Sequence, residues 1–214
     1  MKRRMSGHLF TVLLLLCGVG TGWAEEPETR VGIGISMDPT RVFLAGSTIY
    51  SNGLTPVNIY VPITGLHFRI EPEAGYFSVT DQSSLGTSSS ESDASTFHIG
   101  VGAFYVITTN TPVRMYVGPR VGLSFLSSKS SSSNSFGSSS TESSETDFTV
   151  GMNIGGEYLF ASQFSIGGEA QLNYISLGKP DVTTAPQPTT TGPTADVTRH
   201  IVSSNVLFFF RWFF

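Results

Sequence analysis

The sequence predicts an all-β fold: an eight-stranded antiparallel up-and-down transmembrane β-barrel with its N- and C-termini in the periplasm. Segments that alternate apolar and polar residues recur along the chain, as expected of strands whose two faces meet different surroundings. Long polar stretches and short turns alternate between these segments, which matches the long external loops and short periplasmic turns of outer-membrane barrels. The chain ends in the aromatic run "NVLFFFRWFF".

Residues 1–24 have the organisation of a signal peptide. A basic start is followed by the apolar run Leu9–Leu16 and by the small-residue sequence "GWA" before Glu25. The apolar part, roughly 15 residues, is shorter than the roughly 20 that a membrane-spanning helix needs. We therefore predict cleavage after Ala24, secretion across the inner membrane, and a barrel domain over residues 25–214.

The composition excludes several classes of protein. Charged residues make up 13% of the chain, and the formal net charge is −4. Loss of the three basic residues of the signal peptide changes this charge to −7, which argues against a nucleic-acid partner. The single cysteine, Cys17, lies in the signal peptide, so neither disulfides nor thiolate metal sites are expected. Residues 25–214 contain no run of 18 apolar residues and hence no predicted membrane helix.

The first three strands are predicted at Arg30–Met37, Val57–Ile63 and Leu66–Tyr76. The first two are short. In the third, an apolar row that includes Phe68 and Ile70 opposes a polar row that begins with His67 and continues through the charged residues Arg69, Glu71 and Glu73.

The next four strands form two hairpins. The turn "TNTP" joins Phe97–Ile107 to Val113–Phe125, and "FASQ" joins Asp147–Phe160 to Ser162–Ser176. Each strand has one apolar face and one face of glycine and polar residues, and the polar face of the first includes His98. The eighth strand is Ile201–Phe214.

Four polar stretches separate these strands, at about 44–56, 80–95, 127–146 and 178–199. The last three are dominated by serine, threonine and proline. Because such segments bury little apolar area against their chain entropy, we predict mobile external loops.

The apolar faces are predicted to meet lipid. Aromatic residues concentrate at both ends of these faces, as at Phe148 and Tyr158 of one strand. Ten residues of strand extend about 33 Å, and a tilt near 40° projects this to roughly 25 Å, the height of the apolar band of outer-membrane barrels.

The polar faces are predicted to line a narrow lumen that side chains fill, so no large pore is expected. Arginines and glutamates on these faces balance in number, and unpaired ions would be unfavourable there. We predict a structural ion network of Arg69, Glu71, Glu73, Arg114, Arg120, Glu157, Glu169 and Arg211. The scattered histidines lack metal-ligand spacing, and we predict no catalytic, cofactor or metal site.

Three segments resemble the eight-stranded bacterial outer-membrane β-barrel family that includes the OmpA transmembrane domain, OmpX and the neisserial opacity adhesins. They are "FRIEPEAGYF" (Phe68–Phe77), "YVGPRVGLSF" (Tyr116–Phe125) and "NVLFFFRWFF" (Asn205–Phe214). The resemblance implies a Gram-negative outer-membrane location and a C-terminal assembly signal that the barrel-insertion machinery reads. That signal is the lipid-facing row Val206, Phe208, Phe210, Trp212 and Phe214.

Three functions are compatible with this reading. The favoured one is a structural or adhesin-like surface role through the Ser/Thr-rich loops, for a monomer that contacts outer-membrane lipid or lipopolysaccharide. The second is a narrow channel for ions or small solutes. The third, a lipid A-modifying enzyme, needs a His and a Ser with a carboxylate. His200 and Ser204 share a face, but no Asp or Glu lies outward beside them, and we expect no enzyme.

Overall fold

A computed structural model describes residues 29–39, 54–108, 111–135, 137–161, 163–185 and 199–214. The predicted signal peptide lies outside these residues. No helix within the described part is long and apolar enough to cross a membrane. The strands are β1 Arg30–Met37, β2 Val57–Tyr60, β3 Ile63–Thr64, β4 Phe68–Leu85, β5 Ser88–Thr108, β6 Val113–Asn134, β7 Gly137–Ala161, β8 Phe164–Leu177, β9 Asp181–Ala185 and β10 Arg199–Phe213.

These strands form a closed antiparallel ring with eight positions. β2 and β3 share the position between β1 and β4, and β8 and β9 follow one another along β7. β10 pairs with both β8 and β1, with Gly32 opposite Phe213. This closure confirms the predicted eight-stranded up-and-down barrel, because no edge is left within the ring.

The second predicted strand, 57–63, is interrupted at Val61 and Pro62. Proline has no N–H to contribute to the ladder. Two backbone hydrogen bonds still connect the interrupted segment to its neighbouring strands. The Val61 N–H donates to the Pro72 carbonyl oxygen at 3.0 Å, and the Gly32 N–H donates to the Pro62 carbonyl oxygen at 3.0 Å.

The apolar faces point outward and the polar faces point inward. Met152 and Ile154 in β7 are 55% and 53% exposed, whereas the charged side chain of Arg69 is completely buried. A protein surrounded by water would have the opposite arrangement, because burial of a charge is costly and burial of an apolar side chain is favourable. The distribution therefore fits a barrel that has lipid outside.

The polar stretches at 80–95 and 127–146 form paired strands rather than the expected loops. β4 and β5 stay in register up to Leu85 opposite Ser88, and β6 and β7 stay in register up to Asn134 opposite Gly137. Composition measures the apolar area that a segment can bury, but a hairpin that continues an existing ladder needs no separate core. Gly86 turns the first hairpin with a φ of 62°, which glycine adopts without steric cost.

The other two predicted loops are described only in part. Within 178–199, Asp181–Ala185 forms β9, which pairs with Ser140–Ser144 of β7. Residues 186–198 and 40–53 lie outside the described residues. We call the end of the barrel near Arg30 and Phe214 the terminal end, and the opposite end, where β4 to β7 project, the hairpin end.

Aromatic side chains fill the lumen toward the terminal end. Tyr116 packs edge-on against Phe104 at a centroid distance of 5.2 Å, and Phe209 lies 6.2 Å away. Tyr60 and Val106 complete this buried cluster. Phe213 and Leu207, which also point inward, are 2% and 6% exposed. These inward apolar residues of β10 therefore help to plug the lumen.

Glycines on the polar faces make room for these rings. A Cβ atom at Gly155 would overlap the ring of Tyr116, and one at Gly34 would overlap the ring of Tyr60. A ring that lies over a glycine of a neighbouring strand fits into a lumen that is otherwise too narrow, an arrangement related to the aromatic rescue of strand glycines. The glycines of the inward rows thus have a packing role.

Replacement of Gly155 with alanine is expected to destabilise the barrel by about 1–3 kcal/mol, the range for overpacking of a core. The added methyl group must displace the Tyr116 ring, whose hydroxyl group donates to Glu169 at 2.9 Å. Urea unfolding in detergent, followed by the mobility shift between folded and unfolded protein on gels, measures the loss.

Gly156→Ala is the matched control, because a Cβ atom at Gly156 meets only the Arg114 carbonyl oxygen at 3.9 Å. Equal unfolding midpoints for the Gly155 and Gly156 variants would contradict the packing role of Gly155.

Candidate functional site: the ion network of the lumen

The structure brings together seven of the eight residues in the predicted network. They come from five strands and meet in the middle of the lumen, where all but Arg120 are fully or nearly fully buried. The seven are Arg69, Glu71 and Glu73 from β4, Arg120 from β6, Glu157 from β7, Glu169 from β8 and Arg211 from β10. No short stretch of sequence contains this site, since ring closure is needed to bring Arg211 of β10 within reach of Glu71 of β4 inside the lumen.

Arg211 joins the two carboxylates nearest the terminal end. Its Nη2 atom lies 2.7 Å from Glu71 Oε1, and its Nη1 atom lies 2.6 Å from Glu157 Oε2. Arg69 binds the other oxygen of Glu157 and lies 3.6 Å from Glu71. Two arginines and two glutamates thus form a closed cycle in which each charge has two partners of opposite sign.

Arg120 connects the remaining carboxylates. It binds Glu73 through Nη1, and its Nη2 atom lies 3.4 Å from Glu71 and 3.2 Å from Glu169. Glu71 therefore touches all three arginines of the network. A guanidinium group suits this bridging role because its donors form a planar fork that serves several carboxylates at once.

Arg114 stands outside the network. Its Cα atom is opposite that of Glu157, but Glu157 is bound by Arg69 and Arg211, and none of the ion pairs among the described residues includes Arg114. Arg114 is half-buried near the terminal end. The prediction of an eight-membered network thus included one residue too many. Alternation assigns a residue to the inward or outward face, but it does not give the position of that residue along the barrel axis.

Aromatic and amide groups complete the network, and we did not predict their participation. The guanidinium carbon of Arg211 lies 3.8 Å from the Phe209 ring centroid and 5.2 Å from that of Tyr116, both within cation–π range. Asn153 and Gln171 donate to Glu169 at 3.0 Å and 2.6 Å. Their positions in the inward rows were the only available sequence signal.

His98 extends the network toward the hairpin end. Its Nε2 atom lies 3.4 Å from Glu73 Oε1, and its Nδ1 atom lies 2.9 Å from Ser124 Oγ. The residue types are those of a hydrolytic triad, but Ser124 is fully buried and Glu73 is bound to Arg120. A substrate cannot reach this serine in the described structure, so the arrangement serves to pair polar groups.

The centre of the lumen has little free space. The cavity that His98 and Arg120 line has a volume of about 30 Å³, and a second one beside Arg211 has about 10 Å³. These volumes suit single water molecules and not a continuous passage. Among the described residues, no group of three or more His, Cys, Asp or Glu side chains is placed to hold a metal ion.

The two other histidines of the described residues, His67 and His200, lie on the outside. His67 was expected on the inward face, but it precedes β4, is exposed and stacks on Tyr105 at 6.1 Å. The period-two pattern was extended one residue beyond the strand, which explains the error. His200 stacks on Tyr174 at 5.2 Å and shares the outer face with exposed Ser204, as predicted.

The C-terminal aromatic row lies on the outer surface at the terminal end. Its five residues alternate with the buried Leu207, Phe209, Arg211 and Phe213. Trp212 stacks on Phe164 at 5.9 Å and packs against Phe214 at 5.2 Å. The Phe214 N–H donates to the Val31 carbonyl oxygen at 2.9 Å, so the last residue still belongs to the seam with β1.

Three solved structures are similar to this chain in fold. Neisserial surface protein A has 14% identity and a TM-score of 0.42, with 86% of this chain and 96% of that chain covered. Ail of Yersinia pestis, in complex with the heparin analogue sucrose octasulfate, has 12% identity, a TM-score of 0.42, and coverage of 87% and 97%. CarO2 of Acinetobacter baumannii has 8% identity, a TM-score of 0.43, and coverage of 86% and 98%.

A sequence comparison with curated proteins found no match. The model of the outer membrane protein β-barrel domain matches residues 10–199, which is most of the chain. This match agrees with the closed ring and the outward apolar faces. The chain therefore belongs to the outer membrane protein β-barrel domain family, and its location is the bacterial outer membrane.

Proposed function

We propose that this protein is a non-enzymatic surface protein of the outer membrane, with a structural or adhesin-like role. The observation that carries the proposal is the sheet that projects beyond the apolar band. The stacked rings of Phe97 and Phe125, 6.2 Å apart, mark the end of this band. Beyond them, Ser78–Leu85 alone extends about 26 Å along β4.

The projecting sheet consists of the outer parts of β4, β5, β6 and β7, with β9 at one side. Most of its side chains are those of serine and threonine and carry a hydroxyl group. Lys129 and Glu142 face each other across β6 and β7 at 2.8 Å, and the hydrogen bond to Glu142 raises the pKa of Lys129. A sheet is already ordered before it meets a partner, so binding costs less conformational entropy than it would for the mobile loops predicted from composition.

The proposal includes a cleaved signal peptide and an orientation with both termini in the periplasm and the hairpin end outside the cell. N-terminal sequencing of the protein purified from outer membranes is expected to begin at Glu25. Proteolysis of intact cells is expected to cut the projecting hairpins and to spare an epitope tag at the terminal end. Cleavage of the tag in intact cells would refute this orientation.

The filled lumen argues against the channel alternative. Planar bilayers containing the purified protein are expected to show no stable single-channel conductance, because the two lumen cavities are small and the rings of Tyr116 and Phe209 fill the lumen toward the terminal end. A large, stable conductance would contradict this prediction. Lipid A is expected to keep its mass spectrum on expression, since His200 stacks on Tyr174 and has no carboxylate partner among the described residues.

Shortening of the first hairpin tests the surface role. Removal of Val79–Ala94, with an Asn-Gly turn joining Ser78 to Ser95, cuts β4 and β5 at a register pair and leaves the barrel untouched. Cells that express this variant are expected to lose adhesion to surfaces while the protein keeps its heat-modifiable gel mobility. Unchanged adhesion would overturn the proposed role of this hairpin.

A further inference from the structure

The projecting part of β4 is a sheet edge. β4 pairs with β2 only as far as Gly75, and beyond that point its described partner is β5, on the other side. Within the described residues, no strand pairs with the outer side of Ser78–Leu85. Among the described residues, the backbone groups along this side thus have no ladder partner, as in an edge strand.

The sequence and register of Ser78–Leu85 contain few of the features that prevent strand addition. Ser78–Leu85 contains no proline and one charged residue, Asp81, and its register with β5 has no bulge. Leu85 at the tip is 87% exposed, although its neighbours are polar. Most side chains along the edge are small and polar.

The edge is complementary to itself. If two copies pair in antiparallel orientation about Gln82, Val79 of one copy lies opposite Leu85 of the other, and Thr80 lies opposite Ser84. Asp81 then faces Ser83 and not a second Asp81. The pairing covers the exposed leucine and places hydroxyl groups and amides side by side, as stable cross-strand pairs require.

We infer that the edge Ser78–Leu85 pairs in antiparallel orientation with the same edge of a second copy of this chain. Two copies inserted in one membrane have β4 rising in the same direction, so their edges cannot be antiparallel. A two-fold axis that reverses the strands also reverses the membrane. The second copy must therefore sit in a facing membrane, and the chain remains a monomer within its own.

The inference rests on the proposed function, because it needs the hairpin end outside the cell. It adds the partner: a copy on a neighbouring cell. The projecting sheet thus forms a homophilic contact between two membranes, and the length of the sheet determines the distance between them.

Vesicle clustering tests the inference with purified protein in phosphatidylcholine vesicles, measured by dynamic light scattering. Wild-type vesicles are expected to cluster as protein density rises. The double variant Thr80→Lys/Ser84→Lys places lysines opposite lysines, and Thr80→Glu/Ser84→Glu places glutamates opposite glutamates. Each population alone is expected to return to the diameter of single vesicles. A mixture of the two is expected to cluster again, since opposite charges then meet.

The matched control is Ser131→Lys/Ser133→Lys. These two serines lie on the same face of the sheet as Thr80 and Ser84, but in the interior strand β6, which is paired on both sides. It adds the same charge and is expected to leave clustering unchanged. Heat-modifiable gel mobility of every variant establishes that the barrel has folded.

Wild-type vesicles that never cluster would overturn the inference, and so would clustering that the edge variants leave intact or that the mixture fails to restore. If shortening of the hairpin still abolishes cell adhesion in that case, the proposed surface role stands and only the second-copy partner is lost. If adhesion is also unchanged, both proposals fail.

Discussion

Replacement of Arg211 with methionine is expected to cost about 3–5 kcal/mol of unfolding free energy, the range for breaking a buried ion pair by removal of one partner. Arg211 is 1% exposed and holds Glu71 and Glu157 at once. Methionine keeps much of the side-chain volume of arginine, but it removes one of the cationic partners of Glu71 and of Glu157. Urea titration in detergent, read as the folded fraction on unboiled gels, measures the change.

Two variants test whether the loss comes from the buried charge. Lys129→Met removes a cation from the exposed pair with Glu142, where water screens both charges, and is expected to leave the unfolding midpoint unchanged. Addition of Glu157→Gln to Arg211→Met is expected to recover part of the loss, because it removes one uncompensated charge. A wild-type midpoint for Arg211→Met would contradict the network's structural role.

Deletion of Phe214 is expected to impair assembly in cells severalfold, seen as a fall in the heat-modifiable fraction of outer membranes. Phe214 ends the aromatic row predicted to be read by the insertion machinery, and its N–H closes the last bond to Val31. The barrel itself loses little, since the network and the plug remain. Purified, denatured variant is therefore expected to refold in detergent almost as well as wild type.

Phe160→Ala is the control for this deletion. Phe160 is a 53% exposed ring at the same end of the barrel and packs against Phe164, but it lies far from the C-terminus in sequence. It is expected to assemble normally. If the deletion variant inserts as well as wild type, or if both variants fail equally, the row is not an assembly signal.

Most of the ion network was predictable from a single rule. Alternation in the strands placed Arg69, Glu71, Glu157 and Arg211 on inward faces, and the narrow interior of eight strands required that their charges pair. The same rule misplaced His67, because a period of two has no meaning beyond the end of a strand. The rule also included Arg114 in the network. Arg114 lies on the predicted face, but near the terminal end and not in the middle of the lumen.

The projecting sheet shows a different limit. Serine-rich stretches such as 127–146 predict loops when judged by composition, because they bury little apolar area. Their strands nevertheless continue ladders that the barrel has already nucleated, so each further pair adds hydrogen bonds without a new loop to close. Composition cannot reveal this, since the favourable contribution comes from the neighbouring strand.

By itself, the sequence determined the architecture of this protein, the outward apolar faces and the identity of most lumen charges, because period-two alternation and terminal aromatics are local properties that each strand carries. The tertiary structure decided which glutamate each arginine binds, which glycine lies under each ring, and where β4 extends beyond its pairing with β2 among the described strands. These features depend on the stagger of neighbouring strands and on closure of β10 against β1. No local pattern encodes them, because residues far apart in the chain become neighbours only when the ring is complete.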